Sequence, residues 1–155
     1  MIERSDSVAE RNKAASRAVF GIWMTGDLDR LGEFVADDVV HHDPYDPHGA
    51  EGIEGHRKTI VLNRRAFPDI EITIEDQIAE GDRLATRWTA AMTYTAEFGS
   101  TSSATRVRIS GITVERFEDG KVVEAWRCMD ALGLRRQIGA VAANDPFPGG
   151  QGRPG

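Results

Sequence analysis

The sequence predicts an α+β fold, with helices gathered early in the chain and a meander of mostly antiparallel strands after them. Three observations lead there. Val8, Ala15, Val19, Ile22 and Trp23 recur at helical spacing. Ile70, Ile72 and Ile74 alternate with Glu71, Thr73 and Glu75, the period of a strand with one wet face. Asp119-Gly120 then separates two strand-like runs, the strongest short hairpin signal because both central turn positions need positive φ. Segregated helices and antiparallel strands mark α+β. A twisted sheet curling over three N-terminal helices leaves a conical cavity, and that cavity is the expected site.

Taken in order, Ser7-Val8-Ala9-Glu10 has the capping-box form and predicts the first helix start. Gly26 predicts its end, and Asp27 a cap for a second short helix through Leu28, Leu31 and Phe34. Val39-Val40-His41-His42-Asp43-Pro44 reads as a short strand closed by proline. After a loop rich in Pro and Gly, a third helix is expected from about Ile53 to Ala66, with Ile53, Ile60 and Val61 as its candidate buried residues. Leu84 to Phe98 reads as a long strand, Gly99 to Thr105 as a polar connection, and Val107 to Phe117 as the next strand, with Gly111 a candidate bulge. The last strand carries Val122, Val123, Ala125 and Trp126 and leads to a short helix from Ala131 to about Val141. Residues 1–143 form one expected domain. Residues 144–155, with four Gly and three Pro, are expected to be a flexible tail.

Composition narrows the partners. With 19 Lys and Arg against 25 Asp and Glu, the net charge of -6 argues against nucleic acid and anionic membranes, which attract basic patches. No apolar run approaches the roughly 20 residues of a membrane span. The lone Cys128 has no partner for an internal disulfide or a thiolate metal site. Met1-Ile2-Glu3-Arg4-Ser5-Asp6 has no signal-peptide core, so the cytoplasm is the expected compartment. No phosphate-binding loop or Gly-x-Ser-x-Gly elbow supports a nucleotide cofactor or serine hydrolysis, and no cofactor is expected.

Six short motifs occur in one order: His42-Asp43-Pro44, Gly52-Ile53-Glu54-Gly55, Phe67-Pro68-Asp69, Arg116-Phe117 before Asp119-Gly120-Lys121, Trp126 with Asp130, and Leu132-Gly133-Leu134 followed by Gln137-Ile138-Gly139. In this the chain resembles the SnoaL-like polyketide cyclases, from roughly Asn12 to Gly139. They belong to the cone-shaped superfamily that also holds nuclear transport factor two, ketosteroid isomerase and scytalone dehydratase. The resemblance implies cofactor-free aldol ring closure of a small, apolar, oxygenated polyketide-type substrate, and a homodimer paired through the outer sheet face, to which Ile70, Ile72 and Ile74 would contribute. The chain departs from the family pattern between Met92 and Thr105, where Tyr94 stands near the family's His-containing segment and Ala104-Thr105 replaces a Thr-Gly pair.

Asp130 has two readings. It is an N-cap for the following helix, or, as the resemblance implies, the acid/base of the ring closure, its pKa raised by an apolar pocket. A regular pleat puts Trp126 and Cys128 on the same face as Asp130, as candidate substrate contacts. Arg87 is either a solvent-facing strand residue or, with Thr89 and Ala91, part of the concave face. There it would orient substrate or pair with Asp130, and a direct pair would lower the Asp130 pKa. Asp43 reads as an Asx turn before Pro44 or, with His42, as a substrate-contacting group at the pocket rim. Tyr94 and Trp23 are candidate substrate-binding residues, Trp23 also packing the first helix on the sheet. His41 and His42 point to opposite faces, and His48 and His56 have no regular ligand spacing, so no metal site is expected. Arg87 and Asp130 also look similar to two members of the Asp–Arg–Asp arrangement of limonene-epoxide-hydrolase-like proteins; the third would fall near Thr89, which is no carboxylate, unless Asp43 substitutes from another strand. A non-catalytic small-molecule-binding cone is the remaining alternative.

Overall fold

The computed structural model describes residues 2–44, 51–95 and 104–140, with side chains from Ser7 onward. In chain order the elements are α1 (Ile2–Thr25), a 3-10 turn (Leu28–Arg30), α2 (Leu31–Phe34), β1 (Val35–His42), α3 (Gly52–Ala66), β2 (Glu71–Glu80), β3 (Arg83–Tyr94), β4 (Thr105–Glu118), β5 (Lys121–Met129) and α4 (Ala131–Gln137). The strands form one sheet in the order β1-β5-β4-β3-β2. β1 runs parallel to β5, and the other pairs are antiparallel. The sheet stays open, and helices pack on it to give the expected α+β cone.

Local chemistry explains most element boundaries. α1 ends at Gly26, whose φ of 77° lets its N–H reach back to the Ile22 carbonyl at 2.8 Å. Asp119 and Gly120 both have positive φ, 51° and 79°, and close the β4–β5 hairpin as the sequence predicts. α1 starts earlier than the capping box suggests. Nothing between Ile2 and Asp6 breaks a helix, so Ser7 lies inside α1. Asp27 makes no side-chain cap bond, and the predicted second helix is a 3-10 turn followed by four helical residues. β1 begins four residues before the predicted start, because parallel pairing with β5 extends it back to Val35. α4 ends at Gln137. The predicted tail, His48 and most of the polar connection after β3 lie outside the described residues.

Gly111 is not a bulge. It pairs regularly with Trp88 on β3 and Met129 on β5. It is glycine because the Trp88 ring lies across it: a Cβ there would fall 2.3 Å from Trp88 Cζ2. The irregularity lies elsewhere. Arg116 pairs with Glu124 but Phe117 pairs with Val122, so Val123 is an extra residue on β5.

Two apolar clusters bracket the concave side. One joins Ala15, Val19 and Ile22 of α1 to Leu31, Val35, Ile60, Leu84 and Phe117. The other is centred on Trp88, Ala90, Met92, Val107 and Ile109, with Ile70 and Ile72 packed against it. Ile70 and Ile72 therefore turn inward and are not on the outer face where a dimer contact would need them; Ile78, beyond the irregularity between Ile74 and Asp76, is exposed.

Candidate active site

Between the two clusters lies a cavity of about 140 Å³, roughly ten times the ~10–15 Å³ that one water requires. Helix spacing builds one wall. Val19, Phe20 and Trp23 face in from α1, and His56, Thr59 and Asn63 from α3. The sheet supplies the floor with Trp88, Ala90 and Met92 of β3, Ile109, Thr113 and Glu115 of β4, and Ala125, Arg127 and Met129 of β5.

At one end, β1 and β5 bring together an ion pair 84 residues apart in sequence. Arg127 donates from Nε to Asp43 Oδ2 at 2.8 Å, and its Nη2 donates to the same oxygen. The guanidinium also lies 5.4 Å from the centre of the Trp23 ring, within cation–π range. Two histidines pack beside it. The His41 and His56 rings meet edge-on with centroids 4.5 Å apart, and His56 also packs against Trp23. Burial, assisted by the Arg127 cation, pulls His41 down to about 4. Burial, then the neighbouring His41 and Arg127, pulls His56 down to about 3. Both imidazoles are therefore neutral near pH 7. Among the described residues His41 Nε2 and His56 Nδ1 find no hydrogen-bond partner.

Further along the floor stands a buried carboxyl. Glu115 is 4% exposed and flanked across the sheet by Leu84 and Ala125. Ser16 Oγ donates to its Oε2 at 2.5 Å. Burial pushes the carboxyl up to about 7, and the Ser16 bond pulls only partly against it.

Of the residues singled out from sequence, Trp23, His42 and Asp43 border this cavity. His42 sits at the rim, its Nε2 2.9 Å from Glu124 Oε1 and its ring stacked on Trp126. The others lie elsewhere. Asp130 is exposed, and its Oδ1 accepts the Gly133 N–H at 2.8 Å, the N-cap geometry. Its backbone lies between two cavity residues, Met129 and Leu134, but its side chain is not in the lining. Trp126 and Cys128 line a groove on the outer face, where Arg83 lies over the Trp126 ring. Arg87 forks onto Asp76, with Nη2 to Oδ2 at 2.9 Å, and Thr89 donates to Glu75, both on the outer face. No Arg87–Asp130 pair forms. Tyr94 packs against Phe67 at the end of β3, outside the lining.

The reason is parity. Side chains alternate, so a shift of one residue exchanges the two faces of a strand. On β5 a regular pleat from the buried Val122 would put Trp126, Cys128 and Asp130 inside. The extra residue at Val123 reverses the faces and turns Ala125, Arg127 and Met129 in. On β3 no bulge intervenes, and the buried Leu84, Trp88 and Met92 share one parity, which excludes Arg87 and Thr89. Glu115 is not among the residues singled out from sequence, although the parity it shares with Val107, Ile109 and Phe117 marks it as inward.

Among the described residues no three His, Cys, Asp or Glu side chains gather to hold a metal ion. No helix among them is long and apolar enough to cross a membrane.

Residues 6–138 match the family model of the SnoaL-like polyketide cyclases. Among solved structures, TsrD from Streptomyces laurentii is similar at 28% identity and a TM-score of 0.75, covering 85% of this chain and 97% of that one. IdmH from Streptomyces antibioticus, a candidate polyketide cyclase, is 26% identical with a TM-score of 0.74, covering 83% and 98%. AclR from Streptomyces galilaeus, a candidate hydroxylase, is 27% identical with a TM-score of 0.74, covering 89% and 87%. Comparison with curated proteins returns no match.

Proposed function

Because the chain belongs to the SnoaL-like polyketide cyclase family, we propose that it closes a ring by intramolecular aldol addition, without a cofactor, in a small and largely apolar polyketide-type substrate. The observation that supports this best is the cavity itself, with apolar walls and the Asp43–Arg127 pair at one end. Such a pocket buries a hydrocarbon frame and uses a few polar groups to orient its oxygens. Arg127, held by Asp43 and backed by Trp23, directs a carbonyl. His42 guards the rim. A base must take a proton from a carbon next to a carbonyl, and an acid must protonate the oxygen left by carbon–carbon bond formation.

The test is mass-resolved turnover of aryl keto-esters that carry both an acidic CH and a second carbonyl. A cyclase yields a product isomeric with its substrate, and Arg127→Gln lowers kcat/KM by about 100-fold, the loss of one charged orienting contact. Absence of any isomeric product across the panel would sink the reading.

The Asp43–Arg127 pair also favours a second reading, an epoxide opening with Asp43 in place of the Arg87–Asp130 arrangement. Cyclohexene oxide separates the two, since opening adds the mass of one water and aldol closure adds none. We further propose a cytoplasmic homodimer paired through the outer face, where Ile112 and Val40 are half exposed beside the Trp126 groove. Sedimentation giving only monomer at micromolar concentration would remove the dimer.

A further inference from the structure

We infer that Glu115, held by Ser16, is the group that moves the proton in this cavity, rather than the carboxylate at the start of α4; this rests on the cyclase reading above. Three features carry it. Glu115 lines the cavity and among the described residues has no cationic partner at hydrogen-bond distance, so none of them locks it as an anion. An ionised carboxylate buried without an opposite charge is costly, and a purely structural position would be served as well by glutamine. Asp130, by contrast, is exposed and already engaged with the Gly133 N–H.

Register supplies the third feature. Glu115 pairs with Ala125, and Ala125 pairs with His41, so the three lie in one row across β4, β5 and β1. Two strand spacings put the outer members about 10 Å apart. The alanine methyl between them leaves the floor low at that point. A substrate lying over Ala125 has the carboxyl on one side and the neutral His41 on the other, with Arg127 two residues further along the same strand.

The step then balances within the substrate and one side chain. The Glu115 carboxylate takes a proton from the carbon next to a carbonyl, and the C–H electron pair becomes the enolate. The enolate carbon bonds to the second carbonyl carbon, whose π pair moves to oxygen. The Glu115 carboxylic acid returns its proton to that oxygen, giving the β-hydroxy ketone and regenerating the carboxylate. Burial holds the group near 7, where both forms are populated at neutral pH. Ser16 acts as a positioning residue, because its donated bond favours the anion.

Acetonylacetone tests this, since it exchanges its α-protons in deuterated water and can close on itself. Proton NMR follows both reactions in the wild-type protein and in Glu115→Gln, Glu115→Asp, Ser16→Ala and Asp130→Asn. Displacement of anilinonaphthalene sulfonate reports that each variant keeps its cavity. Glu115→Gln is expected to lose about 10²- to 10⁴-fold in both reactions with the cavity intact, and Glu115→Asp to recover part of the loss. The wild-type rate should rise with pH through about 7, with that limb absent in Glu115→Gln and moved to higher pH in Ser16→Ala. Undiminished exchange in Glu115→Gln beside an active wild type, or a loss confined to Asp130→Asn, overturns the assignment and leaves the cyclase standing. An inactive wild type overturns the cyclase reading and Glu115 with it.

Discussion

On the inner face of the sheet Arg127 holds Asp43, with side chains 25% and 10% exposed. On the outer face Arg87 holds Asp76, with 56% and 53% exposed. The groups are the same, and in each pair Nε and Nη2 of the arginine both reach the carboxylate, but the surroundings differ. Water screens the outer pair and competes for its hydrogen bonds, so it contributes little. The inner pair is largely withdrawn from water, and each partner depends on the other to compensate its charge. The inner pair therefore holds an arginine at a cavity, while the outer pair decorates a strand.

The largest effect should come from breaking the inner pair. Asp43→Ala leaves Arg127 partly buried and uncompensated, and urea unfolding should show a loss of about 3 kcal/mol. A cost no greater than that of Arg87→Ala would erase the distinction between the faces.

A comparable effect should come from the other inner-face charges through pH. His41 and His56, with pKa values lowered from 6.5 to about 4 and 3, bind fewer protons when folded. They lend stability above 6.5 that is lost as pH falls. Glu115, raised from 4.5 to about 7, binds more protons when folded, so its contribution is present below 4.5 and lost as pH rises through 7. Between 4.5 and 6.5 two histidines oppose one glutamate, and stability rises with pH. Above 6.5 only the glutamate acts, and stability falls. Of these three groups the sum is greatest near 6.5, which thermal unfolding across pH 4 to 9 would test, with those end points taken as roughly the linkage window. Glu115→Gln should remove the alkaline fall, worth roughly 0.7 kcal/mol over the half unit between 6.5 and about 7, and steepen the rise between 4.5 and 6.5, at about 1.4 kcal/mol per pKa unit. An unchanged alkaline limb in that variant would contradict the burial of the charge.

Smaller effects follow in order. Gly111→Ala places a methyl against Trp88 on the inner face, and overpacking should cost about 1–3 kcal/mol. A neutral result would mean the ring moves freely. Asp130→Ala removes the α4 cap and should lower stability by about 1 kcal/mol, read as a small fall in Tm. Arg87→Ala, on the outer face, should leave Tm nearly unchanged, because water screens that pair.

Much of the fold is legible in the residues. Gly26 stops α1, Asp119-Gly120 makes the hairpin, and the spacing of Ile53 and Ile60 predicts the buried stripe of α3, whereas Val61, one position round the helix from Ile60, is exposed. The site is legible in part. Glu115 falls in register with Val107, Ile109 and Phe117, so strict alternation along β4 reveals it. His42-Asp43-Pro44 marks the right corner but does not name the partner of Asp43. That partner, Arg127, lies on a strand whose face is reversed by one extra residue at Val123. No local pattern marks that bulge, since Val122, Val123 and Ala125 are all acceptable strand residues on either face.

Local sequence, then, determined the elements, their turns and the α+β class, because these depend on backbone preference and on apolar spacing within a few residues. The tertiary structure alone decided that β1 lies parallel to β5, that Asp43 meets Arg127, and that Glu115 stands over a cavity with no countercharge among the described residues. Those outcomes depend on register between strands far apart in the chain. A one-residue offset costs little locally but exchanges every inward side chain for an outward one.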